Sequence, residues 1–207
     1  KNEEKNQESN LEYFRQLVNH VMNTGIGING ESFNLSGINN DKKLPELEFL
    51  FTVEKVNRAE INKYLGEDAR LGGETDIEGL MTGFIDLLFE HNGKYYILDW
   101  KSNHLGNNPD CYDRDGMEQA MTGSNYHLQY MIYTVAAVRW LKARICDFDY
   151  DRHFGGIIYL FLRGVREGSE TGIYTALPEK QAIEVLDKAL KGELAPSTQQ
   201  LATANLK

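Results

Sequence analysis

The stretch from Met81 to Ser102 constrains the fold most strongly, because it predicts a β-hairpin whose register can be counted. Two apolar runs, rich in β-branched and aromatic residues, flank the dipeptide Asn92-Gly93. Asn-Gly is strongly favoured as a two-residue hairpin turn, since both turn residues adopt positive φ. Counting back from this turn along both strands places Asp86 opposite Asp99.

Opposed residues in an antiparallel pair share one face of the sheet, and Lys101 lies on the same face as Asp99. The opposite face is predicted to be core and carries Ile85, Leu87, Phe89, Tyr96, Leu98 and Trp100. Two opposed carboxylates repel each other, so their charge has to be compensated. Protonation of one acid, neutralisation by Lys101 and a bound divalent cation all satisfy this requirement. An ordinary Asp-Lys pair on a sheet surface is the alternative.

The remaining pattern predicts one α/β domain over residues 11–191, with a central sheet between helices. Residues 1–10 are expected to be disordered or a boundary segment, residues 192–207 a polar tail, and His104 to Ser124 a long loop beside the cleft. The predicted helices are Leu11–Met22, Arg58–Leu65, Tyr126–Arg144 and Pro178–Leu190, and the further strands are Leu47–Val53, Gly155–Leu162 and Ile173–Leu177.

Composition excludes several classes of function. The formal net charge of −9 over 207 residues argues against tight autonomous binding to nucleic acid. No apolar run has the length of a membrane span and the first ten residues do not resemble a signal peptide, so a cytoplasmic location is expected. The two cysteines cannot supply the four thiolates that an iron–sulfur cluster usually requires.

Three motifs carry a resemblance to a known family. Gly83-x-x-Asp86 followed by Asp99-Trp100-Lys101 resembles the core of the PD-(D/E)xK nucleases, and Gln129 with Tyr133 resembles the Gln-x-x-x-Tyr motif of their RecB-type branch. Beyond these motifs, the segments Gly83–Gly106 and Tyr126–Gly164 are similar to the C-terminal nuclease domain of exodeoxyribonuclease V β subunits. The similarity is strongest between residues 79 and 177.

The resemblance implies a restriction-endonuclease-like fold and hydrolysis of phosphodiester bonds in single-stranded DNA, dependent on one or two Mg²⁺ or Mn²⁺ ions. Asp86, Asp99 and the backbone carbonyl of Trp100 would be the metal ligands, and Lys101 would orient the attacking water or stabilise the transition state. Glu48, in preference to Glu46, matches a family glutamate that precedes an apolar strand. The other implied site residues are Gln129 and Tyr133, which share one stripe of the predicted helix, and Tyr130, a secondary candidate on the adjoining face. Without the family, that stripe would be interpreted as helix core.

The resemblance also implies partners: a helicase portion of the same polypeptide, RecC-like and RecD-like subunits, and a RecA-like recombinase. A larger protein that captures DNA would reconcile the acidic charge with a nuclease. A non-enzymatic docking module for the recombinase or a partner subunit is the competing hypothesis, and a stand-alone phage or CRISPR-related exonuclease is a third that the acidic charge disfavours.

One feature of the family pattern is missing. The RecB-type pattern includes a metal-binding His on a helix well upstream of the glutamate, and His20 lies closer to that glutamate than the pattern allows. Weak or absent activity of the chain in isolation is therefore expected.

Overall fold

The structure of the protein is a computed structural model that describes residues 2–63, 65, 67–73 and 76–193. The helices among them are α1 (Asn2–Asn23), α2 (Arg58–Asn62), α3 (Arg114–Gly123), α4 (Tyr126–Lys142), α5 (Tyr150–His153) and α6 (Lys180–Leu190). The strands are β1 (Ile26–Ile28), β2 (Glu31–Phe33), β3 (Lys43–Val56), β4 (Ile77–His91), β5 (Lys94–Lys101), β6 (Phe154–Phe161) and β7 (Ile173–Ala176).

Five strands form the central sheet in the order β3-β4-β5-β6-β7, and β1 pairs with β2 in a separate small hairpin. Strands β5 and β6 are parallel, whereas the other neighbours in the central sheet are antiparallel. The predicted mixed sheet with flanking helices is therefore confirmed. All eight residues of β6 are buried, which agrees with the continuous apolar run that predicted a central strand.

The predicted hairpin register is confirmed over the paired residues of β4 and β5. His91 pairs with Lys94, and the ladder continues without a shift to Leu87 and Leu98. Asn92 has a φ of 51° and Gly93 a φ of 79°, as a turn with two positive φ values requires.

Both faces of the hairpin are buried, so the expectation of a single core face was incomplete. One face packs against α1 and the β1–β2 hairpin, through residues that include Leu87, Tyr96 and Leu98. The other face packs against α4 and α6, through residues that include Leu88 and Ile97. Helices cover the sheet on both sides, so the polar side chains of the hairpin lie near the ends of its strands.

Ile85 was assigned to the wrong face. It is fully buried in the same cluster as Leu88 and Ile97, rather than in the cluster of Leu87. The alternation of side chains along β4 is therefore broken at Asp86. Directly across in β3, Glu46 has a φ of 50°, which is unusual for a residue other than glycine and marks an irregular backbone at the same level of the sheet.

Two further segments differ from the expectations. Helix α1 begins at Asn2 rather than at Leu11, so residues 2–10 are helical. The predicted loop His104–Ser124 contains helix α3, whose Asp113 cap accepts a hydrogen bond from the backbone N–H of Gly116 at 2.8 Å. Tertiary burial of Met117 and Met121, four residues apart on one face of α3, outweighs the weak helix propensity of this polar segment. The predicted tail beyond residue 193 lies outside the described residues.

No helix among the described residues is long and apolar enough to cross a membrane.

The packing of β5 on β6 gives the first testable prediction. A Cβ atom at Gly155 would lie 2.3 Å from ring carbons of Tyr96, which is itself fully buried. Gly155→Ala is therefore expected to lower the free energy of unfolding by about 1–3 kcal/mol through overpacking. Urea unfolding monitored by circular dichroism measures this change.

Gly27→Ala is the matched control, because a Cβ atom there would meet nothing within 4 Å. Its effect should stay within about 0.5 kcal/mol. Equal stability of the Gly155 variant and the control would contradict the close packing at Tyr96.

Candidate active site

The candidate site lies where β4 and β5 separate. The pairing of these strands ends at Leu87 and Leu98, and continuing the register by one step brings Asp86 level with Asp99. The Asp86 carboxylate accepts a hydrogen bond from the backbone N–H of Trp100 at 2.9 Å, and so replaces a main-chain acceptor where the ladder stops. This side-chain bond fixes the Asp86 carboxylate beside the strand that carries Asp99 and Lys101.

Lys101 is the centre of the site. Its Nζ lies 2.5 Å from Asp99 Oδ2 and donates a hydrogen bond to Gln129 Oε1 at 2.7 Å. Both members of the ion pair are buried, with 3% of Asp99 and 6% of Lys101 exposed. The ammonium also lies over two aromatic rings, 3.7 Å from the ring centre of Tyr126 and 4.5 Å from that of Tyr159.

Gln129 connects helix α4 to this lysine. Its Oε1 accepts a second hydrogen bond, from the hydroxyl of Tyr159 at 3.0 Å, and its Nε2 donates to the hydroxyl of Tyr133 at 3.0 Å. The spacing of four residues between Gln129 and Tyr133 makes this last contact possible on one face of the helix. The predicted set Asp86, Asp99, Lys101, Gln129 and Tyr133 is thus brought together.

Burial and charge set the protonation behaviour of the site. Desolvation raises the pKa of Asp99; the ion pair with Lys101 partly offsets this rise, and the negative charge of Asp86 adds to it. The pKa of the Tyr133 hydroxyl is raised, first by burial and then by the charge of Asp99. The pKa of the Tyr159 hydroxyl is raised far above its ordinary range, again mainly by burial. Both tyrosines therefore remain neutral hydrogen-bonding groups.

Glu48 is not brought to these residues. It is exposed and pairs with Phe84, whereas its neighbours Leu47 and Phe49 pack on the face that faces α4. Since side chains alternate along a strand, Glu48 points to the opposite face.

Glu46 is better placed than Glu48 to lie beside the acids of the site. Pro45 pairs with Leu87 and Leu47 pairs with Ile85, so Glu46 lies directly across from Asp86. Glu48 was preferred to Glu46 because it matches the position of the family glutamate before an apolar strand, and the sequence gives no sign of the positive φ at Glu46. The backbone irregularity at Glu46 and Asp86 places two acids at the same level of adjacent strands.

From the sequence we did not single out Tyr159 or Tyr126, whose rings lie against the Lys101 ammonium. Tyr159 could have been noticed as the only residue with a polar group in the apolar run 157–161. Tyr130, the secondary candidate, lies next to the site rather than in it: its ring is 6.5 Å from that of Tyr159 and its hydroxyl is 3.4 Å from Nδ1 of His127.

His20 lies away from the site. Its Nδ1 accepts a hydrogen bond from the backbone N–H of Glu167 at 3.4 Å, at the end of α1 that packs on the other face of the sheet. Within the described part of the chain, no three His, Cys, Asp or Glu side chains converge as a ready-made metal cluster. The acids of the site are therefore Asp86 and Asp99, with Glu46 across from Asp86.

This arrangement defines a class of protein. Two acids from adjacent strands and a buried lysine, held by a glutamine from a helix, are the elements needed to bind a cation and to stabilise charge on a phosphate. On a mixed sheet flanked by helices, this set of residues is typical of α/β nucleases of the Asp-x-Lys kind.

Comparison with known proteins identifies the family. The sequence profile of the PD-(D/E)XK nuclease superfamily matches residues 4–204, and the chain belongs to this superfamily. Nucleases of this superfamily generally use divalent metal ions. The RecBCD enzyme subunit RecB of Escherichia coli is 49% identical over 117 residues, which cover 56% of this chain.

Two further relatives cover more of the chain. RecB of Haemophilus influenzae is 34% identical over 185 residues, or 87% of this chain. RecB of Buchnera aphidicola subsp. Schizaphis graminum is 33% identical over 180 residues, or 84% of this chain. The matched regions amount to only 10% to 15% of the length of these three relatives.

The hydrogen bonds of Gln129 give the second prediction. Gln129→Leu keeps the approximate size of the side chain but leaves the ammonium of Lys101 and the hydroxyl of Tyr159 without their common acceptor. We expect the free energy of unfolding to fall by about 1–3 kcal/mol, because buried polar groups become unsatisfied. Tyr133→Phe removes only the outer bond of the network and should cost about 1 kcal/mol or less.

Denaturant unfolding of both variants measures the difference. A Gln129→Leu protein as stable as the parent would show that the bond between Lys101 and Gln129 does not form in solution.

Proposed function

We propose that the chain is a Mg²⁺- or Mn²⁺-dependent deoxyribonuclease domain that hydrolyses phosphodiester bonds of single-stranded DNA. The observation that carries the proposal is the buried ammonium of Lys101, held between Asp99 and Gln129 with Asp86 on the neighbouring strand. A lysine in such a place costs free energy of desolvation, and a purely structural sheet has no need of it.

The acids fit a divalent cation. Mg²⁺ is typically held by one or two carboxylates, with waters and substrate phosphate oxygens completing the shell. Asp86 and Asp99 would provide two carboxylates of mutually repelling charge, and Glu46 lies across the β3–β4 pair from Asp86. The backbone carbonyl of Trp100 is the further ligand in the proposed set. When bound, the ion supplies Lewis-acid chemistry that activates water and offsets charge on the phosphate.

The remaining residues have separate roles. Lys101 provides a fixed positive charge that orients the attacking water and stabilises the charge developing on the phosphate oxygens. Gln129 holds the ammonium in place through its Oε1, and the hydroxyl of Tyr133 in turn holds the Gln129 amide. A preorganised charge of this kind needs no rearrangement at the moment of reaction, which makes it more effective than a mobile surface lysine.

The relatives support a proposal about the larger assembly. Because the chain matches a small part of RecB subunits of the RecBCD enzyme, we place it in a helicase-nuclease that processes DNA ends during recombinational repair. The helicase portion of the same polypeptide and RecC-like and RecD-like subunits would deliver the strand. Delivery by partners explains how a domain of net charge −9 reaches a polyanionic substrate.

Cleavage of end-labelled single-stranded DNA in Mg²⁺ or Mn²⁺ tests the proposal. Lys101→Gln is expected to lower the cleavage rate by at least about 100-fold, because it removes a preorganised charge from the transition state. Asp99→Ala should likewise abolish cleavage. Lys55→Gln is the matched control, since Lys55 is an exposed lysine paired with Asp76.

Circular dichroism and unfolding curves must show that each variant is folded. Full activity in a folded Lys101→Gln protein would contradict the assignment. If the parent chain itself does not cleave, a variant extended at its N-terminus by a helix bearing the histidine of the RecB-type pattern decides between a missing ligand and a docking module.

Glu46 and Glu48 of β3 form a matched pair of variants. If Glu46 completes the acidic site, Glu46→Gln should lower the cleavage rate by about tenfold to a hundredfold, as loss of a group supporting a metal site does. Glu48→Gln should have little effect, because Glu48 faces away from Lys101. The reverse result in the same assay would restore Glu48 as the family glutamate.

A second candidate function, docking of a recombinase or partner subunit, is favoured by exposed apolar side chains. Leu50, Leu80 and Phe84 are 65%, 73% and 53% exposed on β3 and β4, and Phe14 and Val18 on α1 are each 59% exposed. Both functions can coexist in one domain. Lys101→Gln separates them, because it removes cleavage and leaves these surfaces unchanged.

A further inference from the structure

We infer that Tyr126 and Asn103 are positioning residues for Lys101, and that they connect the loop after β5 to the proposed catalytic ammonium. The inference rests on the proposed nuclease function and concerns how Lys101 is held in position. Neither residue belongs to the Asp-x-Lys or the Gln-x-x-x-Tyr motif.

The ring of Tyr126 completes the surroundings of the ammonium. Of the three N–H groups on Nζ, one is directed to the carboxylate of Asp99 and one to the side-chain oxygen Oε1 of Gln129. The ring centre of Tyr126 lies 3.7 Å from Nζ, closer than that of Tyr159 at 4.5 Å. A cation over an aromatic face in a desolvated site is attracted by the ring quadrupole, so Tyr126 confines the flexible lysine on its remaining side.

Asn103 fixes that ring. The hydroxyl of Tyr126 donates a hydrogen bond to Asn103 Oδ1 at 3.2 Å. Asn103 follows Lys101 by two residues, so its side chain returns from the loop to the helix that covers the lysine. Tyr126 is the first residue of α4, where the backbone leaves Asn125 at a φ of 55°, and its hydroxyl bond ties the start of this helix to the end of β5.

The loop itself is anchored by Tyr112, which is 1% exposed. The Tyr112 hydroxyl donates to the backbone carbonyl of Asn103 at 3.3 Å and accepts from the backbone N–H of Leu105 at 3.2 Å. A continuous path of contacts thus runs from the buried Tyr112 through Asn103 and Tyr126 to the ammonium of Lys101. A displacement of the loop would therefore move the ring that confines the lysine.

Three variants separate the ring from its tether. Tyr126→Phe keeps the ring and removes the hydroxyl, Asn103→Leu removes the acceptor, and Tyr126→Leu removes the ring. In cleavage of end-labelled oligothymidylate, we expect Tyr126→Leu to lower kcat by about tenfold to thirtyfold with KM nearly unchanged. Tyr126→Phe and Asn103→Leu should each lower kcat by about threefold, the loss of one hydrogen bond that only positions the ring.

A double variant tests whether Asn103 acts through Tyr126. If it does, Asn103→Leu has no further effect on kcat in the Tyr126→Phe background. Multiplication of the two single effects would overturn the tether. A rise in KM with unchanged kcat would overturn the positioning role, because it would make Tyr126 a contact for substrate binding.

A spectroscopic measurement keeps the inference independent of activity. In protein labelled with ¹³C-lysine and free of DNA and metal, the ε-CH₂ signal of Lys101, assigned by its loss in Lys101→Gln, should be shifted by the ring current of Tyr126. Tyr126→Leu should move this signal strongly toward ordinary lysine values, and Tyr126→Phe only slightly. An unmoved signal in the folded Tyr126→Leu protein would overturn the inference. Shifts as expected in a chain that does not cleave DNA would uphold the positioning and count against the nuclease.

Discussion

The buried ion pair of Asp99 and Lys101 is the interaction on which the rest of the site depends. A charge in a protein interior is tolerated only when its partners satisfy it completely, because desolvation costs several kcal/mol per ion. Here the partners come from three elements: Asp99 from the same strand, Gln129 from α4, and the ring of Tyr159 from β6. Helix α4 has to pack over the end of β5, and β6 has to run parallel beside it, for the lysine to be buried at all.

The separation of β4 from β5 provides the other half of the site. A regular ladder would have used the N–H of Trp100 for pairing, whereas in this structure it binds the carboxylate of Asp86. The same level of the sheet carries the irregular backbone of Glu46 on β3. Acids therefore collect where regular pairing ends, and the apolar faces on both sides of the sheet hold this end in place. The burial of an extensive core offsets the free-energy cost of the irregular backbone. The proposed chemistry uses the carboxylates that lie where regular pairing ends.

The features that could be predicted from the sequence are those that depend on residues close together in the chain. The register of the hairpin followed from Asn92-Gly93, since a two-residue turn leaves no freedom in the count, and the fully apolar β6 followed from its composition. Helix α3 was missed because its polar residues hide two buried methionines that only tertiary packing reveals. Glu48 was preferred to Glu46 because it matches the family position before an apolar strand, and the irregular backbone at Glu46 and Asp86 has no sequence signature. Tyr159 contacts Lys101 from a strand that is distant in sequence, and Asn103 is connected to Lys101 only through Tyr126, which requires the folded loop.

Cation binding by the chain is the most direct test of the proposal that the end of this hairpin holds a divalent cation beside a fixed lysine. Titration with Mn²⁺, followed by electron paramagnetic resonance in the absence of DNA, reports binding without requiring turnover. We expect the parent chain to bind Mn²⁺. We expect this binding to be lost when Asp86 and Asp99 are both replaced by Asn in a protein that remains folded. Unchanged binding in that double variant would place the cation elsewhere and contradict the account.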